Sequence, residues 1–142
     1  MKLYIDCEWN GYKGALLSIA LVPSDPDGPV FYAAFERLGQ WVFDEWVLEN
    51  VYLPYLEKEQ KRSREEIQLG LKVYLSHFSY IHIIADWPED IERFCELLIT
   101  GPGTRINTPP LTMEVVRVDA PSSNPHHALY DAKGLRDFLE SR

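Results

Sequence analysis

Residues 15–23 read ALLSIALVP, apolar at every position except Ser18. A strand this uniformly apolar must be covered on both faces, so the sheet that contains it needs packed layers above and below. The stretch before it, KLYIDCEW, alternates instead: Leu3, Ile5 and Cys7 share one face, Tyr4, Asp6 and Glu8 the other. Only the Gly-containing turn NGYKG separates the two, so they pair as neighbours. SDPDGP then turns the chain again, and VFYAAFE supplies a third strand. Three strands joined this tightly form an antiparallel meander.

The periodicity then changes. WVFDEWVLENVYLPYLEK has helical spacing, and SREEIQLGLKVYLSHF places Ile67, Leu71, Tyr74, Leu75 and Phe78 on one stripe behind a Ser63–Glu66 capping pattern. YIHIIAD is a short buried strand. PEDIERFCELLIT is a helix opened by Pro88 and acidic residues, GPGTRINTPP a loop, MEVVRVDA a strand and HHALYDAKGLRDFLESR a last helix. The order β-β-β-α-α-β-α-β-α predicts an α/β domain spanning residues 1–142, a mixed sheet flanked by helices. With 46% hydrophobic residues and no apolar run of membrane length, the chain is expected to be globular, with no membrane association. MKLYIDCEWN lacks the basic-then-apolar pattern of a secretory signal, which points to the cytoplasm. Cys7 and Cys95 are expected to serve as small apolar side chains rather than as a disulfide.

Three placements of acid stand out. Asp6 and Glu8, two apart on a strand, project from one side; they are either a solvated strand face or, if helices cover them, a pair that needs a cation between them. Asp131 falls on or beside the apolar stripe of Ala128, Ala132, Leu135, Phe138 and Leu139, where a carboxylate must be hydrogen-bonded or metal-bound. Asp86 and Asp90 lie where a buried strand ends and a helix begins, a position suited either to capping or to lining a ligand crevice. The net charge of −8, from 14 basic and 22 acidic residues, argues against a broad nucleic-acid-binding face.

D-x-E on a first strand, an aspartate after a buried strand and His126-x-Ala128-Leu129-x-Asp131-Ala132 opening a C-terminal helix resemble the DEDDh family of 3′→5′ exonucleases. The resemblance covers most of the chain, with the histidine segment as its most specific part. The small size, LLSIALV and the SREEI helix look most like the compact RNase AS-like exoribonucleases. It implies a ribonuclease-H-like fold, and two divalent ions, Mg²⁺ or Mn²⁺, held by Asp6, Glu8, Asp90 and Asp131. For the third acid Asp90 is preferred to Asp86, because Phe94 follows Asp90 by four as the family's helix requires. Asp86 and Trp87 stand where the family has a His-Asn pair.

The same resemblance implies hydrolysis of the 3′-terminal phosphodiester of single-stranded RNA to nucleoside 5′-monophosphates, with His126 as general base. His127 has the wrong spacing and is expected to be structural or capping. Trp9, Leu16 and Ser18 occupy positions where the family holds the terminal nucleotide, although Trp9 would serve equally in the core. Arg105 is expected to be a plain loop cation. With so few basic residues, affinity should come from the metals and the last one or two nucleotides, with modest salt dependence. Family members commonly dimerise; Trp41, Trp46, Tyr52 and Tyr55 on the expected first helix are either such an interface or core. Two rival readings stay open: a single-stranded DNA exonuclease of the same fold, and a non-catalytic relative that binds metal or nucleic acid.

Overall fold

The computed structural model describes residues 1–37 and 42–142. A six-stranded mixed sheet runs in the order β4-β3-β2-β1-β5-β8. Its strands are β1 (Lys2–Trp9), β2 (Leu16–Pro23), β3 (Phe31–Phe35), β4 (Lys61–Arg62), β5 (Ile81–Ala85) and β8 (Leu111–Val115). β1, β2 and β3 are antiparallel neighbours, whereas β4, β5 and β8 each add in parallel to an existing strand. The expected meander with parallel additions is therefore present, and β2 is buried along its length as its composition demanded.

Two helices cover one face. Ile67, Leu71, Tyr74 and Leu75 of α2 (Arg64–Leu75) and Phe94 and Leu97 of α3 (Pro88–Leu98) pack against Leu3, Ile5, Cys7, Ile19 and Leu21. Ser63 caps α2 by accepting from the Glu66 N–H at 3.1 Å. On the other face, Ala128, Ala132 and Leu135 of α4 (Ala128–Glu140) pack on Tyr4, Ala20, Val22 and Ile84. The small residues let this helix lie close to the sheet. Gly134 continues the close approach on the helix's far side, where a Cβ would stand 2.3 Å from the Pro121 carbonyl oxygen.

Four expectations need correction. The helix over 41–58 is not continuous: Asp44 caps a short turn, α1 (Glu45–Val47), which widens into a π turn over Leu48–Tyr52 and is followed by a 3₁₀ turn at Leu56–Lys58. Pro54 explains the break, because its ring crowds the carbonyl four residues earlier and it has no N–H to continue the ladder. Trp41 lies outside the described residues. The last helix begins at Ala128 rather than at the histidines, with His127 as its cap and His126 in the left-handed region at φ 71°. β8 stops at Val115, because its one neighbour, β5, ends at Ala85; Val116 donates a last bond to the Ala85 carbonyl at 2.7 Å. Finally, the expected loop after α3 contains a small hairpin, β6 (Ile99–Gly101) with β7 (Thr104–Arg105).

Candidate metal centre

Asp6 and Glu8 sit at the C-terminal end of β1, on the face that α4 covers. Glu8 faces Ser18 across the β1–β2 pair, and Asp6 faces Ala20. α4 brings Asp131 to them in its first turn, one residue before the fully buried Ala132. α3 arrives beyond the end of parallel strand β5 and carries Asp90 in its own first turn, with Asp86 in the connection before it. Both helices thus point their N-terminal ends, which favour negative charge, at one place.

The carboxylates form two overlapping groups. One oxygen each from Asp6, Glu8 and Asp131 lie within 4.8 Å of one another, and so do oxygens from Asp6, Asp86 and Asp90. Asp6 belongs to both. Ligands around Mg²⁺ sit about 2.0–2.1 Å from the ion, so opposite ligands are about 4.2 Å apart, and a small contraction would let each group close on one ion. The choice between Asp86 and Asp90 as third acid is not forced by position, since both reach Asp6. Asp90 is the more deeply placed, 1% exposed, and its Oδ1 accepts from the Cys7 backbone N–H at 3.0 Å.

Burial makes this cluster costly as protein alone. Asp6 Oδ2 and Asp90 Oδ2 are shut off from solvent and receive no hydrogen bond from the described residues. Among the described residues, no Lys or Arg pairs with any of the five carboxylates. Burial, followed by repulsion from Asp90, Glu8, Asp131 and Asp86, holds the Asp6 carboxyl well above the usual carboxylate range. Burial, then Asp131 and Asp90, pushes Glu8 up to about 9. Burial raises Asp90 as well, partly offset by the hydrogen bond from Cys7, and burial also raises Asp86. Buried carboxylates without donors are stable either protonated or against a cation, and an all-oxygen set with no thiolate or imidazole favours a hard divalent ion. The residues present therefore fit two such ions.

The histidines part company. His126 is exposed and donates its backbone N–H to Asp131 Oδ2 at 3.1 Å. Its ring meets Trp46 edge-on, centroids 4.9 Å apart, and neither ring nitrogen is hydrogen-bonded among the described residues. His127 is fully engaged. Nδ1 accepts from the Leu129 N–H at 3.2 Å, which leaves Nε2 to donate to Glu59 at 3.0 Å. Its ring stacks on Tyr32 and takes edges from Tyr55 and Tyr130. The Tyr55 hydroxyl also donates to the Pro125 carbonyl at 3.1 Å. The turn bearing His126 is thereby tied on two sides to residues 55–59.

A cleft of about 260 Å³ opens beside Glu8, lined by Trp9, Tyr12, Trp46 and Val47 among others. Ser18 is buried opposite Glu8 on β2. Trp9 borders the Glu8 cleft but packs on the α2–α3 core, with Arg93 over its ring. Leu16 pairs with Trp9 across a bulge and packs toward the α2–α3 face, away from the acids. Arg105 is beyond the C-terminal end of α3, the end opposite Asp90, and is not brought to the site. Trp46, Glu59 and Tyr55 were not expected here. Trp46 and Tyr55 read from sequence as interface or core and Glu59 carries no signal, because no local pattern marks contacts that span about 70 residues. The chain matches no protein-family model and no curated protein.

Proposed function

We propose that this protein is a metal-dependent 3′→5′ exonuclease of ribonuclease-H-like fold, acting on single-stranded RNA. The observation that carries the reading is the pair of three-carboxylate groups sharing Asp6, with two buried oxygens that no protein donor satisfies. Asp6, Glu8 and Asp131 would hold one ion, and Asp6, Asp86 and Asp90 the other. Divalent ions bound there would supply neutralisation of the negative charge that develops on a phosphodiester.

The chain's own residues supply the rest. His126 presents an unengaged imidazole on the solvent side of Asp131 and accepts the proton of the attacking water. Asp131 fixes the backbone of that turn through its second role, as acceptor from the His126 N–H. His127 and Tyr55 hold the turn from the other side. Trp9 and Trp46 flank the space beside Glu8, where a terminal base has aromatic faces to stack on. The mixed sheet, the site's place at strand ends and helix starts, and the resemblance of the histidine segment to the DEDDh family all support this reading. No described helix is long and apolar enough to cross a membrane. The cytoplasm is the compartment this reading suits.

The test is incubation with 3′- and 5′-labelled RNA and DNA 12-mers, with Mg²⁺, Mn²⁺ or chelator. The reading requires stepwise shortening from the 3′ end of RNA, release of 5′-mononucleotides and loss of both with chelator. Shortening of DNA alone would move the assignment to the DNA enzyme of the same fold. Metal binding with no cleavage of either polymer would leave the non-catalytic relative.

A further inference from the structure

The protein is acidic overall, yet five of its 14 basic residues line one cleft of about 440 Å³. Lys13, Arg37, Lys61, Arg64 and Arg93 face it, with only Glu36 and Glu96 as lining carboxylates. We infer that this cleft holds the sugar-phosphate backbone of a single-stranded nucleic acid, a few nucleotides upstream of the 3′ end.

The cations are built into the fold rather than scattered on its surface. Arg93 is 7% exposed, bound to Glu89 at 3.0 Å and stacked over the Trp9 ring at 5.5 Å. Lys61 Nζ donates to the Glu57 and Glu59 carbonyls at 3.3 and 3.2 Å and lies over the Tyr52 ring. Arg64 donates one nitrogen to the Glu96 carbonyl at 2.8 Å. Carbonyl partners orient Lys61 and Arg64 without neutralising them, whereas Arg93 is paired with the Glu89 carboxylate. Lys13 is exposed at the tip of the β1–β2 turn.

Aromatic rings interleave with the charges. Phe43 and Tyr52 pack at 4.4 Å and form one wall, with Phe35 nearby. Cations along a groove with aromatic faces between them are what a flexible single strand uses, its phosphates on the charges and its bases on the rings. A duplex presents no unstacked bases to such rings.

The cleft neighbours the candidate site. Trp9 borders the space beside Glu8, and Arg93, which lines the basic cleft, lies over the Trp9 ring at 5.5 Å. Asn10 secures the junction, donating to the Val42 carbonyl and accepting from the Asp44 N–H at 2.8 Å. A strand whose end lies at the acids reaches the cations past Trp9. The inference rests on the nuclease reading only for the direction in which that strand runs.

The experiment measures binding by fluorescence anisotropy in chelator, where no turnover occurs. The probes are a labelled single-stranded RNA 12-mer and a dinucleotide, tested with wild type and with the double variant Lys13→Gln/Arg64→Gln. About two net charges, once Glu36, Glu96 and the Glu89 partner of Arg93 are set against the five cations, and a slope of about 0.7 per phosphate on single strands predict that log K falls with log salt at roughly −1.4. The double variant should weaken the 12-mer by roughly fivefold or more at low salt, make the slope shallower by about 1.4 and lower the ratio of 12-mer to dinucleotide affinity. Lys13→Gln alone, at an exposed turn, gives half that slope change and guards against misfolding of the double variant.

An unchanged slope and affinity in both variants would overturn the inference. So would displacement of the 12-mer by poly-glutamate or inorganic phosphate at equal charge concentration, which would show an unspecific anion site. Binding that obeys these slopes in a protein with no cleavage activity would refute the nuclease reading and leave the cleft standing. Cleavage with unaltered binding in the variants would do the reverse.

Discussion

The backbone N–H of Cys7 donates to the Asp90 carboxylate at 3.0 Å, across 83 positions of sequence. This bond seats the first turn of α3 against β1, between the two residues of the D-x-E pair. The same side chain therefore has a structural oxygen, Oδ1, and a second one, Oδ2, with nothing to bind.

The two oxygens can be separated by substitution. Asp90→Asn retains the acceptor for Cys7 but lowers affinity for cations. Asp90→Ala strands a buried N–H, so it should be less stable than Asp90→Asn by about 1–3 kcal/mol in chemical denaturation. Both should lower activity by roughly a thousand-fold, the cost of several kcal/mol of transition-state stabilisation.

The stability of the metal-free protein should fall as pH rises. Glu8 has a folded-state pKa raised from its ordinary 4.5 to about 9, and Asp6 and Asp90 are raised in the same direction. A raised carboxyl binds its proton more tightly in the folded state, so its contribution is fully present below the ordinary value and is lost as pH climbs through the folded one. In chelator, Tm should drop by on the order of 5 °C between pH 5.5 and 8, a change of about 1–2 kcal/mol in a domain of this size. Mn²⁺ should restore it, with more effect at pH 8, where ions do not compete with protons. Tm that is flat or rising over this range in scanning calorimetry would remove the carboxylate repulsion from the picture.

The neighbouring histidines should fail in different measurements. His126→Ala removes an exposed ring whose nitrogens are unbonded and whose edge contact with Trp46 is slight, so unfolding free energy should stay within about 1 kcal/mol of wild type while kcat falls roughly 10²–10⁴-fold. His127→Ala removes a helix cap, the Glu59 partner and a stacked ring. It should cost about 1–3 kcal/mol of stability in denaturant titration.

Trp46→Ala should act on substrate binding. Loss of one stacked base costs about 1–3 kcal/mol, so KM should rise roughly five- to a hundred-fold with little change in Tm. Equal loss from Tyr80→Ala, an exposed aromatic immediately before β5 and outside this cleft, would show that stacking at Trp46 is not specific.

Much of this was legible from periodicity. The alternation of KLYIDCEW and the apolar run of β2 define the sheet's centre and put Asp6 and Glu8 on one face. Asp131 announces itself as a carboxylate on an apolar stripe. Pro54 marked locally that the helix over 41–58 would break, but apolar residues at helical intervals on both sides of it outweighed that signal. Local patterns could not show Trp46 against His126, or Tyr55 and Glu59 around His127, since these contacts depend on where a loop folds back. The basic cleft was hidden for the same reason. Lys13, Arg37, the Lys61–Arg64 stretch and Arg93 come from four separate parts of the chain, and total charge alone pointed away from it.

The shared position of Asp6 is tested most directly by counting ions. Isothermal titration of the metal-free protein with Mn²⁺ at pH 7.5, for wild type and Asp6→Asn, should give two ions per chain for wild type. The variant should fold at least as stably, since a buried unpaired carboxylate becomes a neutral amide, and should bind both ions weakly. One ion per chain in the wild type, or a variant that loses one ion and keeps the other at full affinity, would contradict a two-ion centre built around Asp6.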